Sequence, residues 1–123
     1  MLKLLLDEHI SRDVADGLRR RTRGIEIRSM VEWEDGRFLG REDHVCLREA
    51  AAQRLTLVTY DRRTIPPLLK TWAEEERIHS GVVFIDEKTI SPSDIGGLVR
   101  ALTSLARETK NWDWTNRVYF LRR

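Results

Sequence analysis

The sequence predicts a single α/β domain over residues 1–123: a three-layer α/β/α sandwich around a mainly parallel five-stranded sheet. Three observations lead there. Apolar runs of strand length recur at Leu2–Leu6, Leu55–Thr59 and Val82–Ile85, and such unbroken runs belong to strands covered on both faces. The segments between them carry apolar residues at helical spacing. Strands that alternate with helices of this length require crossover connections, and crossovers make parallel neighbours with helices on both sides.

The elements follow in chain order. Leu2–Leu6 is an apolar run that ends at Asp7. Ser11 is placed to cap a helix in which Ile10, Val14 and Leu18 recur every four residues, with Arg19–Arg21 at the end that favours positive charge. Gly24 is expected to stop it. Ile25–Met30 alternates apolar and polar residues and reads as a second strand, and the two glycines and many charges of residues 33–43 read as a loop. A helix is expected from about Arg41 to Gln53, its face made by Val45, Cys46, Glu49 and Ala50. After Leu55–Thr59, Pro66 and Pro67 suit only a first helical turn, with Leu68, Leu69 and Trp72 as the buried stripe. Gly81 opens a fourth strand that ends at Asp86. Ser91-Pro92-Ser93-Asp94 predicts a helix start with Ser91 as cap, and Ile95, Leu98, Val99, Leu102 and Leu105 trace its apolar stripe. Val118–Leu121 completes the sheet.

Composition narrows the function classes. Of 123 residues, 41% are hydrophobic and 34% charged, as in an ordinary globular protein. The apolar opening is too short for a secretory signal and no stretch reaches the roughly 20 apolar residues of a membrane span, so the expectation is a cytoplasmic protein without membrane contact. One cysteine, Cys46, excludes an internal disulfide and a cysteine zinc cage. His9, His44 and His79 fall on separate segments with no pair at ligand spacing, and Gly96-Gly97 lacks a phosphate-loop context. Net charge is only +2, yet arginines gather at residues 19–28 and 117–123, either as a phosphate-tracking surface or as a solvated face. Trp112 and Trp114 are expected to pack rather than to stack on bases.

The acids carry the chemical argument. Ligands of an open parallel sheet bind beyond the carboxyl ends of its strands. Asp7 and Glu8 follow the first strand, Asp61 the third, and Asp86 the fourth, while Glu42 and Asp43 begin a helix on the same side. Gathered carboxylates repel unless a cation compensates them, and carboxylate oxygen suits Mg²⁺ or Mn²⁺. Such a metal polarises a phosphoryl oxygen and activates water. The plain alternative is that an Asp after a strand shapes a turn and an acid at a helix start serves the dipole. Asp7 and Asp61, which directly follow buried runs, are the stronger candidates. Glu8, Asp86 and the choice between Glu42 and Asp43 are weaker.

LLLDEHIS near the start, EDHVCLREAA in the middle and LVTYDRR after it resemble PIN-like (PilT N-terminus) nuclease domains, most closely the small branch found beside toxin–antitoxin genes. The likeness runs from about Leu2 to Ile85. It implies a Mg²⁺- or Mn²⁺-dependent endoribonuclease with Asp7, Asp43 and Asp61 as catalytic, metal-binding acids and RNA as substrate. It further implies an antitoxin protein as partner and a tendency to form homodimers. Arg62 and Arg63 are the expected phosphate contacts. The chain departs from the family pattern at Arg63, where a second acid commonly stands, at Thr64, where an aromatic does, and in a longer loop over residues 32–41. Two other classes are weighed: a catalytically degenerate PIN-like module that binds RNA or protein, and a phospho-receiver domain. Against the latter, no lysine follows the fifth strand, and the sequence there reads FLRR with no closing helix.

Overall fold

A computed structural model describes residues 2–123. The strands are β1 (Lys3–Leu6), β2 (Glu26–Ser29), β3 (Thr56–Thr59), β4 (Val82–Phe84) and β5 (Val118–Phe120). The helices are α1 (Arg12–Arg21), α2 (Asp43–Ala52), α3 (Ile65–Glu74) and α4 (Ile95–Glu108). All strand pairs are parallel, in the order β2-β1-β3-β4-β5. The expected three-layer α/β sandwich is therefore what the chain forms.

Side chains alternate across the sheet and build two cores. Leu4, Leu6, Val58 and Val83 face α1 and α4, where Val14, Leu18, Leu98 and Leu102 are fully covered. Leu5, Leu57, Val82 and Phe84 face the α2–α3 side, with Leu47, Ala50, Ile65 and Trp72. Helices α1 and α4 approach closely because Gly17 has no side chain; a Cβ there would stand 2.7 Å from Val99 Cγ2.

Several local expectations are corrected. Helix α1 ends before Gly24: the backbone N–H and hydroxyl of Thr22 both donate to Leu18 O, and Gly24 turns the chain toward β2 at φ +83°. Residues 32–41 are not a free loop. They contain a 3₁₀ turn at Trp33–Gly36, and Trp33 and Phe38 stack with ring centroids 4.7 Å apart inside the second core. In α2 the buried residues are Cys46, Leu47 and Ala50, with Val45 only half-buried. In α3 the buried pair is Ile65 and Trp72, seven residues apart on one face, while Leu68 and Leu69 lie half-exposed. Helix α4 is capped by Asp94, whose carboxylate accepts from Gly97 N at 2.9 Å; Ser91 instead starts the preceding turn. Serine and aspartate cap about equally well, and it is the backbone geometry that places Asp94 immediately before the first turn. Ser11 caps α1 as expected, accepting from Asp13 N at 3.1 Å.

Candidate acid-lined site

The strand order sets where the chemistry sits. From β1 the chain moves outward to β2 and then returns to place β3 on the other side of β1, so the order reverses between β1 and β3. A crevice opens outside the carboxyl ends of two such strands because their following loops diverge. Asp7 follows β1 and Asp61 follows β3, so both border that crevice.

Asp7 is held from several sides. Its N–H donates to Val58 O at 3.0 Å, so the backbone is still part of the sheet ladder. Its Oδ2 accepts from Thr59 Oγ1 at 2.6 Å, and its Oδ1 from Glu8 N at 2.7 Å. Burial pushes the Asp7 carboxyl above the ordinary range, and these hydrogen bonds only partly offset it. Thr59 is fully buried at the end of β3, and its hydroxyl also accepts from Asp61 N at 2.9 Å.

Asp61 turns its carboxylate toward the start of α3. Its Oδ1 accepts from Arg63 N and Thr64 N, both at 2.9 Å, and Thr64 Oγ1 contacts its Oδ2. Burial alone would raise this carboxyl, but the hydroxyl and the two N–H groups outweigh it and hold it below the usual range. The Thr64 hydroxyl also contacts Asp43 Oδ2 at the first turn of α2. Hydrogen bonds thus run from Asp7 through Thr59 and Asp61 to Thr64 and Asp43. One hydroxyl has one proton. Thr64 can donate to Asp43 or to Asp61, and the other carboxylate then faces a lone pair.

Asp7, Glu8, Arg41 and Asp43 line a small cleft floored by Met30, Phe38, Cys46 and Leu57. Its volume is about 10 Å³, room for about one water or a single ion. Cys46 is buried and its thiol is pushed up to about 11, by burial first and then by the carboxylates of Asp43, Asp7 and Glu8. It is a neutral floor to the cleft, in keeping with the core role read from the sequence.

The remaining candidates lie differently. Glu42 is the exposed residue before α2 and pairs with His44 at 3.2 Å. Asp86 accepts from Lys88 N at 2.8 Å, which leads in holding its carboxyl below the usual range, and it pairs with Arg62 at 2.8 Å. Arg62 also sits over the Phe120 ring, so of the two expected phosphate contacts it is the engaged one. The Arg63 side chain is exposed and makes no ion pair among the described residues. Trp114 is buried as expected, and the half-exposed Trp112 lies under the Arg117 guanidinium. The sequence marks Thr64 only as a departure from the family pattern and does not single out Thr59 or Arg41. Their positions, three residues after Asp61, two before it and two before Asp43, were the available signal.

The donor set is all carboxylate and hydroxyl, which is the chemistry of a hard cation. Among the described residues, no group of three or more His, Cys, Asp or Glu side chains is placed to hold a metal ion. Magnesium does not need one, since it keeps several waters and uses one or two carboxylates with substrate phosphate. Asp7, Asp43 and Asp61 are the residues that could supply such carboxylates. No helix among the described residues is long and apolar enough to cross a membrane. Comparisons with family models, with curated proteins and with solved structures find no match to the chain.

Proposed function

We propose that the chain is a Mg²⁺- or Mn²⁺-dependent endoribonuclease of the PIN-like type. The observation that carries this reading is the hydrogen-bonded series Asp7–Thr59–Asp61–Thr64–Asp43 at the reversal of strand order. In this reading Asp7, Asp43 and Asp61 hold the metal between them. When bound, the metal polarises a phosphoryl oxygen and lowers the pKa of an attacking water. Thr59 fixes the Asp7 carboxylate against rotation, and Thr64 keeps Asp43 and Asp61 adjacent. Arg41 on the cleft wall and Arg63 beside Asp61 bind the phosphate, which the acids alone would repel. Asp86 and Glu42 stay outside the chemistry. As a toxin, the enzyme would need an antitoxin protein that blocks this rim.

The test is incubation of labelled structured and unstructured RNAs with the protein in Mn²⁺ or EDTA, with Asp61→Asn as control. Cleavage by the wild type in Mn²⁺, absent in EDTA and in Asp61→Asn, is the expected result. Equal cleavage by Asp61→Asn would sink the reading.

One observation favours a second reading, a non-catalytic module of the same fold: no group of three or more candidate ligands is placed to hold a metal ion among the described residues. Titration with Mn²⁺ separates the two. A catalytic site binds the ion and loses it in Asp7→Asn, whereas a degenerate one binds none. The strand order is also that of phospho-receiver domains. Both oxygens of Asp61 are already engaged by Arg63 and Thr64, which leaves that carboxylate poorly placed to attack phosphorus.

A further inference from the structure

Three grooves follow one another around α4, on the face opposite α2 and α3. The first, about 470 Å³, lies between α4 and the segment after β5 and is lined by Arg100, Arg122 and Arg123. The second, about 400 Å³, runs between α1 and α4; it shares Arg100 and adds Arg20 and Arg21. The third, about 270 Å³, shares Arg21 and adds Arg23, Arg107 and Lys110 around an apolar floor. Shared side chains make the three continuous.

Their charge is out of proportion to the molecule. Eight cationic side chains line them against two acids, Asp13 and Glu108, a net of +6. The whole chain carries +2, so everything outside this belt is net −4. Of the eight, only Arg123 has an acidic partner among the described residues, Asp94 at 3.6 Å. Elsewhere Arg19, Arg28 and Arg62 are paired at 2.8–3.2 Å. Helix-dipole compensation explains Arg20 and Arg21 in the last turn of α1. It does not explain Arg100 in the middle of α4, nor Arg122 beyond β5. Unpaired like charges held along one face destabilise a fold through self-repulsion, and a polyanion relieves it.

We propose that this α1–α4 face binds the sugar-phosphate backbone of single-stranded RNA, on a surface apart from the acid-lined cleft. The 14 residues of α4 give about 21 Å of length along which such a backbone can run. The grooves present guanidinium groups and few exposed aromatics, so they track backbone without reading bases. The choice of RNA among polyanions rests on the nuclease reading above; the charged belt does not.

The experiment measures anisotropy of a labelled unstructured RNA of about 20 nucleotides against the full chain, in EDTA and over a salt series. Arg20→Gln/Arg21→Gln/Arg100→Gln is compared with a control triple of equal charge loss, Arg37→Gln/Arg48→Gln/Lys70→Gln. The groove triple is expected to weaken binding at least ten-fold and to flatten the log–log salt slope by about 2, at about 0.7 for each phosphate no longer neutralised. The control triple is expected to stay within two-fold of wild type. Equal binding by wild type and the groove triple overturns the proposal, as does equal weakening by the control triple. So does equal competition by polyglutamate or by phosphatidylserine vesicles, which would assign the face to an acidic protein or a membrane. Circular dichroism checks that each variant folds; if the first triple does not, Arg23→Gln/Arg107→Gln/Lys110→Gln tests the other end of the belt. Binding in EDTA does not depend on hydrolysis. Groove binding without Mn²⁺-dependent cleavage therefore sinks the nuclease reading alone, and cleavage without groove binding sinks this one alone.

Discussion

Asp7 illustrates how a candidate metal ligand can cost a fold stability. Its backbone is held in the sheet ladder and the residue is half-buried, and burial raises the carboxyl above the ordinary carboxylate range. The folded state thus binds the Asp7 proton more tightly than the unfolded one. The sign follows: Asp7 lowers stability progressively as pH rises from about 4 through its folded value, and the cost persists at neutrality. Asp7→Asn keeps an acceptor for Thr59 and removes the buried charge. We expect it to melt a few degrees higher at pH 7, with about 1 kcal/mol corresponding to some 4 °C in a domain of this size. The same substitution is expected to abolish stabilisation by Mn²⁺, which in the wild type should reach about 2.7 kcal/mol at a hundred times Kd. Calorimetry with and without Mn²⁺ reads both effects, and a wild type indifferent to Mn²⁺ would count against the metal site. Because protonation of Asp7 competes with the cation, affinity for Mn²⁺ should fall as pH drops through that raised value. Thr64 poses a different problem, since its hydroxyl stands between Asp43 and Asp61. Thr64→Val deprives both of their shared donor and adds repulsion. A destabilisation of about 1–3 kcal/mol in chemical denaturation is expected, recovered in part by adding Mn²⁺.

At the scale of elements, the crossovers decide which residues meet. The strands β1, β3 and β4 were legible because their apolar runs are unbroken, and parallel order followed from the helices between them. Asp7, Asp43 and Asp61 were legible as a group because each follows a buried strand or opens a helix at the same edge. Thr59 and Thr64 were not, because a threonine in a strand or before a helix is ordinary, and its role appears only when crossovers align it with carboxylates 52 and 21 residues away. The cap of α4 was misplaced for a similar reason: Ser91, Ser93 and Asp94 all have capping chemistry, and only the backbone geometry selects among them. Burial of Trp33 and Phe38 could not be read from a charged, glycine-rich stretch, since their partner is a helix that comes later in the chain. One junction depends on a single glycine. Gly81 opens β4 at φ +99°, and a Cβ there would stand 2.9 Å from both the ring and the carbonyl of Trp114. Gly81→Ala combines a left-handed backbone cost with overpacking against a buried tryptophan. A destabilisation of about 2–4 kcal/mol is expected in urea unfolding, and a change below about 1 kcal/mol would show that the β4–β5 end of the sheet yields easily.

At the scale of the whole molecule, the titrations of Asp7 and His79 act on stability with opposite signs. His79 lies at the amino end of β4, 6% exposed, and its Nδ1 accepts from Gly81 N at 3.0 Å. Its backbone is tied to the approach to β5, with His79 N donating to Asn116 Oδ1 at 3.1 Å and Asn116 N to His79 O at 2.9 Å. Burial depresses the imidazole below its usual 6.5. Charging it would place a proton on the nitrogen that accepts the Gly81 N–H, so the cost falls on the junction of β4 and β5. Here the unfolded state binds the proton more readily, which reverses the sign found for Asp7. The contribution of His79 is complete above about pH 6.5 and is lost as pH falls toward the folded value, with a slope that approaches about 1.4 kcal/mol per pH unit for one proton. Asp7, at the carboxyl end of β1, regains its share only at lower pH as its carboxyl is protonated. Stability is therefore expected to fall on acidification just below about pH 6.5, and this fall should vanish in His79→Gln, whose amide oxygen can accept from Gly81 without titrating. Asp7→Asn should leave that fall intact while raising stability at neutral pH, its advantage over the wild type shrinking only as the Asp7 carboxyl is protonated at lower pH. Urea midpoints from about pH 4 to 8 for the three proteins distinguish these contributions, and an unchanged pH profile in His79→Gln would place the acid-sensitive junction elsewhere in the fold.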